Sequence, residues 1–128
     1  MNKKQNTILL VDDDGALNTL LQTQLVDEDI RVFIAEDGAK GLEIAMTEHP
    51  DLIVLDLMMP IKDGLETLKE IRADESWGKY VHIIILTGTH DFAKMADAIE
   101  QGITEYIHKD SATVDKIVEK IKNTLLAK

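Results

Sequence analysis

The sequence predicts a doubly wound α/β sandwich, in which helices cover both faces of a parallel five-stranded sheet. Short apolar segments alternate strictly with segments of helical spacing. The apolar segments are continuously hydrophobic, which is typical of parallel strands that are buried on both faces. Five strand and helix units fill the 128 residues, whereas a barrel needs eight.

The predicted strands are the apolar segments that come before each helical segment. β-branched and aromatic side chains dominate most of them, as is usual in strands. In chain order they are residues 7–11, 31–35, 52–55, 82–86 and 105–108.

The predicted helices are stripes of apolar residues at helical spacing, each with a candidate N-cap just before it. The stripes are Leu17, Leu20, Leu21 and Leu25; Leu42, Ala45 and Met46; Leu65, Leu68 and Ile71; Phe92, Met95, Ala96 and Ile99; and Val114, Ile117, Val118, Ile121 and Leu125. The predicted caps are Asp14, Asp37, Asp63, Asp91 and either Asp110 or Ser111.

Composition restricts the function classes that are open to the chain. The 24 acidic and 14 basic side chains give a net charge of -10, which argues against direct binding of nucleic acid. The apolar stretches are too short to span a membrane. The absence of cysteine excludes disulfides, thiol catalysis and thiolate metal sites, and it suits a cytoplasmic protein. The length predicts one domain.

Chemically active side chains follow four of the predicted strands. Asp12 and Asp13 follow the first, Asp56 the third, Thr87 the fourth and Lys109 the fifth. The carboxyl ends of parallel strands form the ligand-binding edge of such a sheet. Crowded carboxylates need a cation, and an all-oxygen ligand set favours Mg²⁺. This composition suits an aspartate nucleophile that accepts a phosphoryl group, with Thr87 and Lys109 binding the phosphoryl oxygens.

Four segments resemble the receiver domain of two-component response regulators, of the chemotaxis-regulator type. They are residues 8–14 (ILLVDDD), 56–64 (DLMMPIKDG), 86–88 (LTG) and 106–109 (YIHK). The resemblance extends over essentially the whole chain. It implies a flavodoxin-like (βα)5 fold with strand order 2-1-3-4-5, and a single receiver domain over residues 1–128 with no output domain.

The resemblance also implies how the acidic residues work. Asp56 would be the phosphoacceptor, with a phosphohistidine on a sensor histidine kinase or a histidine phosphotransfer protein as the donor. Asp12, Asp13 and Asp56 would hold Mg²⁺ together with the backbone carbonyl of Met58. The protein would be an enzyme only in assisting its own phosphotransfer and dephosphorylation.

The same resemblance predicts a switch formed by Thr87 and Tyr106. Thr87 and Lys109 would contact the phosphoryl group, and Tyr106 would follow Thr87 inward. The face made by helix four, strand five and helix five would then present a changed surface to a downstream protein. For Tyr106, a surface position with an exposed hydroxyl remains an equal alternative.

The sequence departs from the family at several positions. Lys109 is followed by Asp110 where proline is common, which leaves either a trans bond in a rearranged loop or a strained cis bond. Gly88 replaces a common alanine and leaves more room. Met58 and Thr89 supply neither an acid nor an amide to orient water, which predicts slow spontaneous dephosphorylation.

Several other residues are assigned structural roles. Gly64 would relieve backbone crowding before helix three, Met59 would fill the core, and Trp77 would be a packing cap. The four histidines share no metal-ligand spacing and are interpreted as structural or solvated: His49, His82, His90 and His108.

Three other functions remain open at this stage. The first is a pseudo-receiver that docks partners regardless of phosphate. The second is a phosphohydrolase of the haloacid-dehalogenase type, although Met58 stands where such enzymes have a second acid. The third is a flavodoxin-like cofactor binder, although the first loop is acidic where a phosphate cradle needs glycine and hydroxyl groups.

Overall fold

A computed structural model describes residues 5–26 and 29–127 of the chain. Within these residues, five strands alternate with five α-helices, and a short 3₁₀ turn at Lys109–Ser111 comes before the last helix. The strands are β1 (Asn6–Val11), β2 (Ile30–Ala35), β3 (Leu52–Leu55), β4 (His82–Thr87) and β5 (Glu105–His108). The helices are α1 (Gly15–Leu25), α2 (Gly38–Glu48), α3 (Gly64–Arg72), α4 (Phe92–Gln101) and α5 (Val114–Leu126).

The five strands form one parallel sheet in the order β2-β1-β3-β4-β5. The predicted fold class and strand order are therefore confirmed. The direction of winding reverses between β1 and β3, and ligands bind at such a switch point in doubly wound sheets. Val11 of β1 pairs with Leu55 of β3 at this switch point, and the residue that follows each strand is an aspartate, Asp12 after β1 and Asp56 after β3.

Each face of the sheet has its own hydrophobic core. Neighbouring side chains of β1 point to opposite cores, Leu10 to the core under α1 and α5, and Leu9 to the core under α2, α3 and α4. Both leucines are at most 1% exposed. Burial on both faces explains why the strand sequences are continuously apolar.

Four of the five predicted helix caps are confirmed. The side chains of Asp14, Asp37, Asp63 and Asp91 each accept a backbone hydrogen bond in the first turn of their helix. The fifth prediction is wrong, because Asp110 and Ser111 belong to the 3₁₀ turn. Thr113 caps α5 instead, accepting a hydrogen bond from the amide of Lys116 at 3.2 Å.

The apolar stripe predicted for α4 does not face the core. Phe92 and Ile99 are 79% and 58% exposed, and Ala98 is the buried residue of this helix. Leu20 of α1 is also half exposed. A small side chain lets a helix approach the sheet closely, and helical spacing alone does not tell which stripe turns inward.

The predicted packing roles of Met59 and Trp77 are confirmed. Both residues are partly buried and pack against the core under α2, α3 and α4. The Trp77 ring also stacks on His49, with ring centroids 4.6 Å apart and planes 11° from parallel. No helix in the described part of the chain has the length and hydrophobicity to cross a membrane.

Candidate functional site

Three carboxylates meet at the carboxyl edge of the sheet. Asp12, Asp13 and Asp56 each have a carboxylate oxygen within 4.8 Å of the others. Asp12 and Asp56 are each only 5% exposed, whereas Asp13 faces solvent. The residues predicted from the ends of strands one and three are thus brought together, two of them almost completely removed from water.

The loop after β1 fixes Asp12 from three sides. Its backbone amide donates to the carbonyl of Ala35 at 3.0 Å, and its Oδ1 accepts from the amide of Asp14 at 2.9 Å. Its carbonyl accepts from Nδ2 of Asn18 at 2.8 Å, and Asn18 is buried. Asn18 was not predicted from the sequence, although its polar amide directly after Leu17, within the apolar stripe of α1, was an available signal.

The loop after β3 holds Asp56 in a similar way. Its backbone amide donates to the carbonyl of Val11 at 3.0 Å, and its Oδ1 accepts from the amide of Met58 at 3.1 Å. Helix α3 begins against this backbone at Gly64, where a Cβ atom would lie 1.8 Å from the carbonyl oxygen of Asp56. Only glycine fits there, which agrees with the crowding predicted at this position.

Lys109 brings a positive charge to two of the carboxylates. Its Nζ lies 2.8 Å from Oδ2 of Asp12 and 3.2 Å from Oδ2 of Asp56. The lysine starts the 3₁₀ turn, and there is no cis peptide bond among the described residues. Of the two geometries left open for the bond to Asp110, the trans bond in a rearranged loop is the one observed.

The carboxylates outnumber the cations at this site. Burial raises the pKa of Asp12 from 3.8 to about 6, and the nearby charge of Asp56 adds to this effect, although hydrogen bonds from Lys109 and Asp14 oppose it. Burial also disfavours the Lys109 ammonium, but hydrogen bonds to Asp12 and the charges of Asp12 and Asp56 outweigh burial and raise its pKa. Three carboxylates and one ammonium leave a formal charge of -2.

These residues fit a magnesium ion. The ligand atoms are hard carboxylate oxygens, and the formal charge of -2 matches a divalent cation. The fit to magnesium depends on the close approach of the three carboxylates and on their unbalanced negative charge. The Met58 amide lies beside the cluster through its bond to Asp56, while the role of the Met58 carbonyl as a ligand stays a prediction.

Thr87 lies on β4, which is next to β3, and Tyr106 lies on β5, one strand further out. Thr87 is the last residue of β4 and is fully buried, and its Oγ1 accepts from the amide of Thr89 at 3.3 Å. The Tyr106 hydroxyl is buried and has no hydrogen-bond partner among the described residues. Burial raises its pKa, and the charge of Asp56 adds to the shift. The alternative of a surface hydroxyl is therefore wrong.

Comparison with known proteins identifies the family. The sequence model of the response regulator receiver domain matches residues 8–122. The alkaline phosphatase synthesis transcriptional regulatory protein PhoP of Bacillus subtilis is 39% identical over 109 residues, which are 85% of this chain and 43% of that protein. The probable transcriptional regulator ycf27 of Cyanophora paradoxa is 38% identical over 109 residues, with the same coverage. The chain spans less than half the length of these relatives.

Solved structures give the same result. A CheY-like receiver domain protein from Methanospirillum hungatei has a TM-score of 0.85 at 27% identity, covering 95% of this chain and 94% of that one. The Mn²⁺-bound form of response regulator Rcp1 has a TM-score of 0.79 at 29% identity, covering 92% of each chain. The chain therefore belongs to the response regulator receiver domain family, the phosphorylation-controlled signalling switches of two-component systems.

Proposed function

We propose that Asp56 is the phosphoacceptor and takes its phosphoryl group from a phosphohistidine on a sensor histidine kinase or a histidine phosphotransfer protein. One observation carries this proposal. The buried Asp56 carboxylate is held between the Met58 amide and the Lys109 ammonium, beside the carboxylates of Asp12 and Asp13. A fixed and nearly buried nucleophile next to a cation suits phosphoryl transfer.

In the proposed reaction, a carboxylate oxygen of Asp56 attacks the phosphorus atom. The new O–P bond forms while the N–P bond of the donor breaks, and the electron pair of that bond stays on the donor imidazole, which takes up a proton. Lys109 and the Thr87 hydroxyl bind phosphoryl oxygens. Asp12, Asp13, Asp56 and the Met58 carbonyl would hold Mg²⁺, whose charge screens the nucleophile and the phosphoryl oxygens.

The catalytic activity we propose is limited to the protein's own phosphorylation and dephosphorylation. The half-exposed Met58 side chain and the partly buried Thr89 offer no acid or amide to orient an attacking water. Hydrolysis of the aspartyl phosphate then proceeds without a side chain at position 58 or 89 that orients the attacking water. We therefore expect a phosphoryl lifetime at the long end of the family's range, and a lifetime of only seconds in purified protein would contradict this reasoning.

The output surface of the proposed switch is the face of α4, β5 and α5. Phe92 and Ile99 expose apolar side chains seven residues apart on α4, and exposed apolar side chains of this kind often mark contact sites for a protein. The signal would pass from Thr87 and Tyr106 to this face and on to a target protein. A single domain without an output domain, and a cytoplasmic location, stay predictions.

Intact-mass spectrometry after incubation with acetyl phosphate and Mg²⁺ tests the proposal. We expect one phosphoryl adduct on the wild type and on the control Asp97→Asn, whose carboxylate is exposed on α4. We expect none on Asp56→Asn with an unchanged circular dichroism spectrum. Failure of the wild type to form the adduct or to bind beryllofluoride would favour a docking module, and turnover of many phosphomonoesters would favour a hydrolase.

A further inference from the structure

A second cluster of metal-ligating side chains lies outside the acidic site. His90, His108 and Asp110 each place one ligand atom within 4.8 Å of the others. His90 is in the loop between β4 and α4, whereas His108 ends β5 and Asp110 lies in the 3₁₀ turn. The cluster thus joins the loop after β4 to the end of β5, and His90 and His108 are 18 residues apart, which is why no ligand spacing is visible in the sequence.

Hydrogen bonding prepares His108 to bind a metal through Nδ1. Its Nε2 lies 3.0 Å from the carbonyl oxygen of Thr89. A carbonyl only accepts, so Nε2 carries the hydrogen and Nδ1 of the neutral ring has a free electron pair. Metal-binding histidines commonly donate their second nitrogen to a backbone carbonyl in this way, because the bond fixes the tautomer and the ring orientation.

The free electron pair of His108 lies near the Asp110 carboxylate. Its Nδ1 lies 3.7 Å from Oδ2 of Asp110, too far for a hydrogen bond. The same oxygen accepts a hydrogen bond from Nε2 of His90 at 3.1 Å, so a metal binds this nitrogen once the hydrogen of the His90 ring moves to its Nδ1. The two imidazole rings have centroids 4.4 Å apart. Ligands at 2.0–2.1 Å from a tetrahedral zinc ion lie roughly 3.3–3.4 Å apart. The two distances from Oδ2 of Asp110, 3.7 Å to His108 and 3.1 Å to His90, are within a few tenths of an ångström of that value.

We infer that Nε2 of His90, Nδ1 of His108 and a carboxylate oxygen of Asp110 form a binding site for a divalent transition-metal ion of the zinc type. Two imidazoles and one carboxylate are a ligand set that suits zinc and not Mg²⁺. His90 and Asp110 are largely exposed, whereas His108 is mostly buried. An ion reaches the site from solvent, and water completes its coordination.

The inferred site is separate from the proposed phosphorylation site, and either can fail without the other. The acidic site would hold Mg²⁺ through oxygen atoms alone. The zinc site needs neither Asp56 nor a phosphoryl group. It is linked to the pocket through Lys109, which stands between His108 and Asp110 in the sequence, and through Thr89, whose carbonyl accepts from His108 and whose amide donates to Thr87.

Zn²⁺ titration of the full chain in excess Mg²⁺ tests the inference, since Mg²⁺ blocks the acidic site. At about pH 7.5, where imidazole is mostly neutral, we expect one equivalent of Zn²⁺ to shift the NMR signals of the His90 and His108 rings. The rings of His49 and His82 serve as internal controls and should not move. His90→Gln and Asp110→Asn should each weaken binding by at least about tenfold, and His82→Gln should leave it unchanged.

Two results would overturn the inference. One is the absence of any shift of the His90 and His108 rings at millimolar Zn²⁺, or equal shifts of all four histidines. The other is unchanged affinity in both His90→Gln and Asp110→Asn. Since both residues are largely exposed, these variants keep the fold, and a thermal unfolding curve for each verifies it.

Discussion

The crowded carboxylates should lower the unfolding free energy of the protein in the absence of Mg²⁺. Asp12→Asn removes one of these charges and therefore measures the loss. The raised pKa of Asp12, about 6 against an ordinary 3.8, means that ionising the buried carboxyl costs about 3 kcal/mol at neutral pH, because one pKa unit corresponds to about 1.4 kcal/mol. Asparagine keeps the oxygen that accepts from the Asp14 amide but cannot ionise. It loses the ionic hydrogen bond to Lys109, so we expect a net stabilisation of about 1–3 kcal/mol.

The pH dependence of this effect has a definite sign. Because the folded protein holds the Asp12 proton more tightly than the unfolded chain, its stability falls as the pH rises from about 4 to about 6 and then levels off. The variant lacks this contribution. The difference in unfolding free energy between Asp12→Asn and wild type should therefore be small below about pH 4 and reach its full value above about pH 6.

Urea denaturation in EDTA and then in Mg²⁺ is the appropriate assay. In a parallel thermal melt, each kcal/mol of stabilisation should raise the melting temperature of the variant by roughly 3–5 °C for a domain of this size. Mg²⁺ at ten times its Kd should stabilise the wild type by about 1.4 kcal/mol and the variant much less, whereas the exposed control Asp97→Asn should behave like wild type. A variant that is no more stable than wild type at neutral pH without Mg²⁺ would show that Lys109 already compensates the buried charge.

Three further predictions concern backbone and packing around the site. Gly64→Ala should lose about 2–4 kcal/mol of stability, because its Cβ would lie 1.8 Å from the carbonyl oxygen of Asp56. Gly88→Ala should gain about 0.4–1 kcal/mol, because its Cβ would meet nothing within 4 Å. Equal effects of the two substitutions in urea denaturation would contradict this prediction. Tyr106→Phe should leave the unfolding free energy unchanged or raise it by up to about 1 kcal/mol, since its buried hydroxyl is unpaired, and a loss of that size would refute it. Ile61→Asn should raise the melting temperature, because the exposed, β-branched Ile61 has a φ of 69°, which costs about 1 kcal/mol.

The acidic site could be located from the sequence because the topology of the sheet determines which residues lie close together there. Parallel strands place their carboxyl ends at one edge, so the residues that follow the neighbouring strands β1 and β3 lie close together, and a side chain as long as that of Lys109 reaches them from β5. Asp12, Asp56 and Lys109 were predicted on this basis alone. Their contacts of 2.8 and 3.2 Å agree with that reasoning.

Features that depend on local conformation were less accessible. The 3₁₀ turn at Lys109–Ser111 delays the start of α5, so Thr113 is its cap. The sequence did not indicate this turn, because Asp110 and Ser111 are themselves residue types that cap helices. The face of α4 that turns inward was also mispredicted, because Ala98 packs closely where larger residues were expected. His90 and His108 lie close together because the loop after β4 folds toward the end of β5. Residue spacing in the sequence does not indicate such contacts.

Thr89 connects the acidic pocket to the inferred zinc site, and this connection gives the proposed switch a physical route. An aspartyl phosphate carries about one more negative charge than the carboxylate it replaces, so the pocket needs another donor once Mg²⁺ and Lys109 are engaged. The Thr87 hydroxyl accepts from the Thr89 amide at 3.3 Å, which leaves its own hydrogen to donate to the phosphoryl group. A shift of Thr87 toward Asp56 must stretch that bond or carry Thr89 along. Because the Thr89 carbonyl accepts from His108 at 3.0 Å, any movement of Thr89 reaches the end of β5, which belongs to the proposed output surface of α4, β5 and α5.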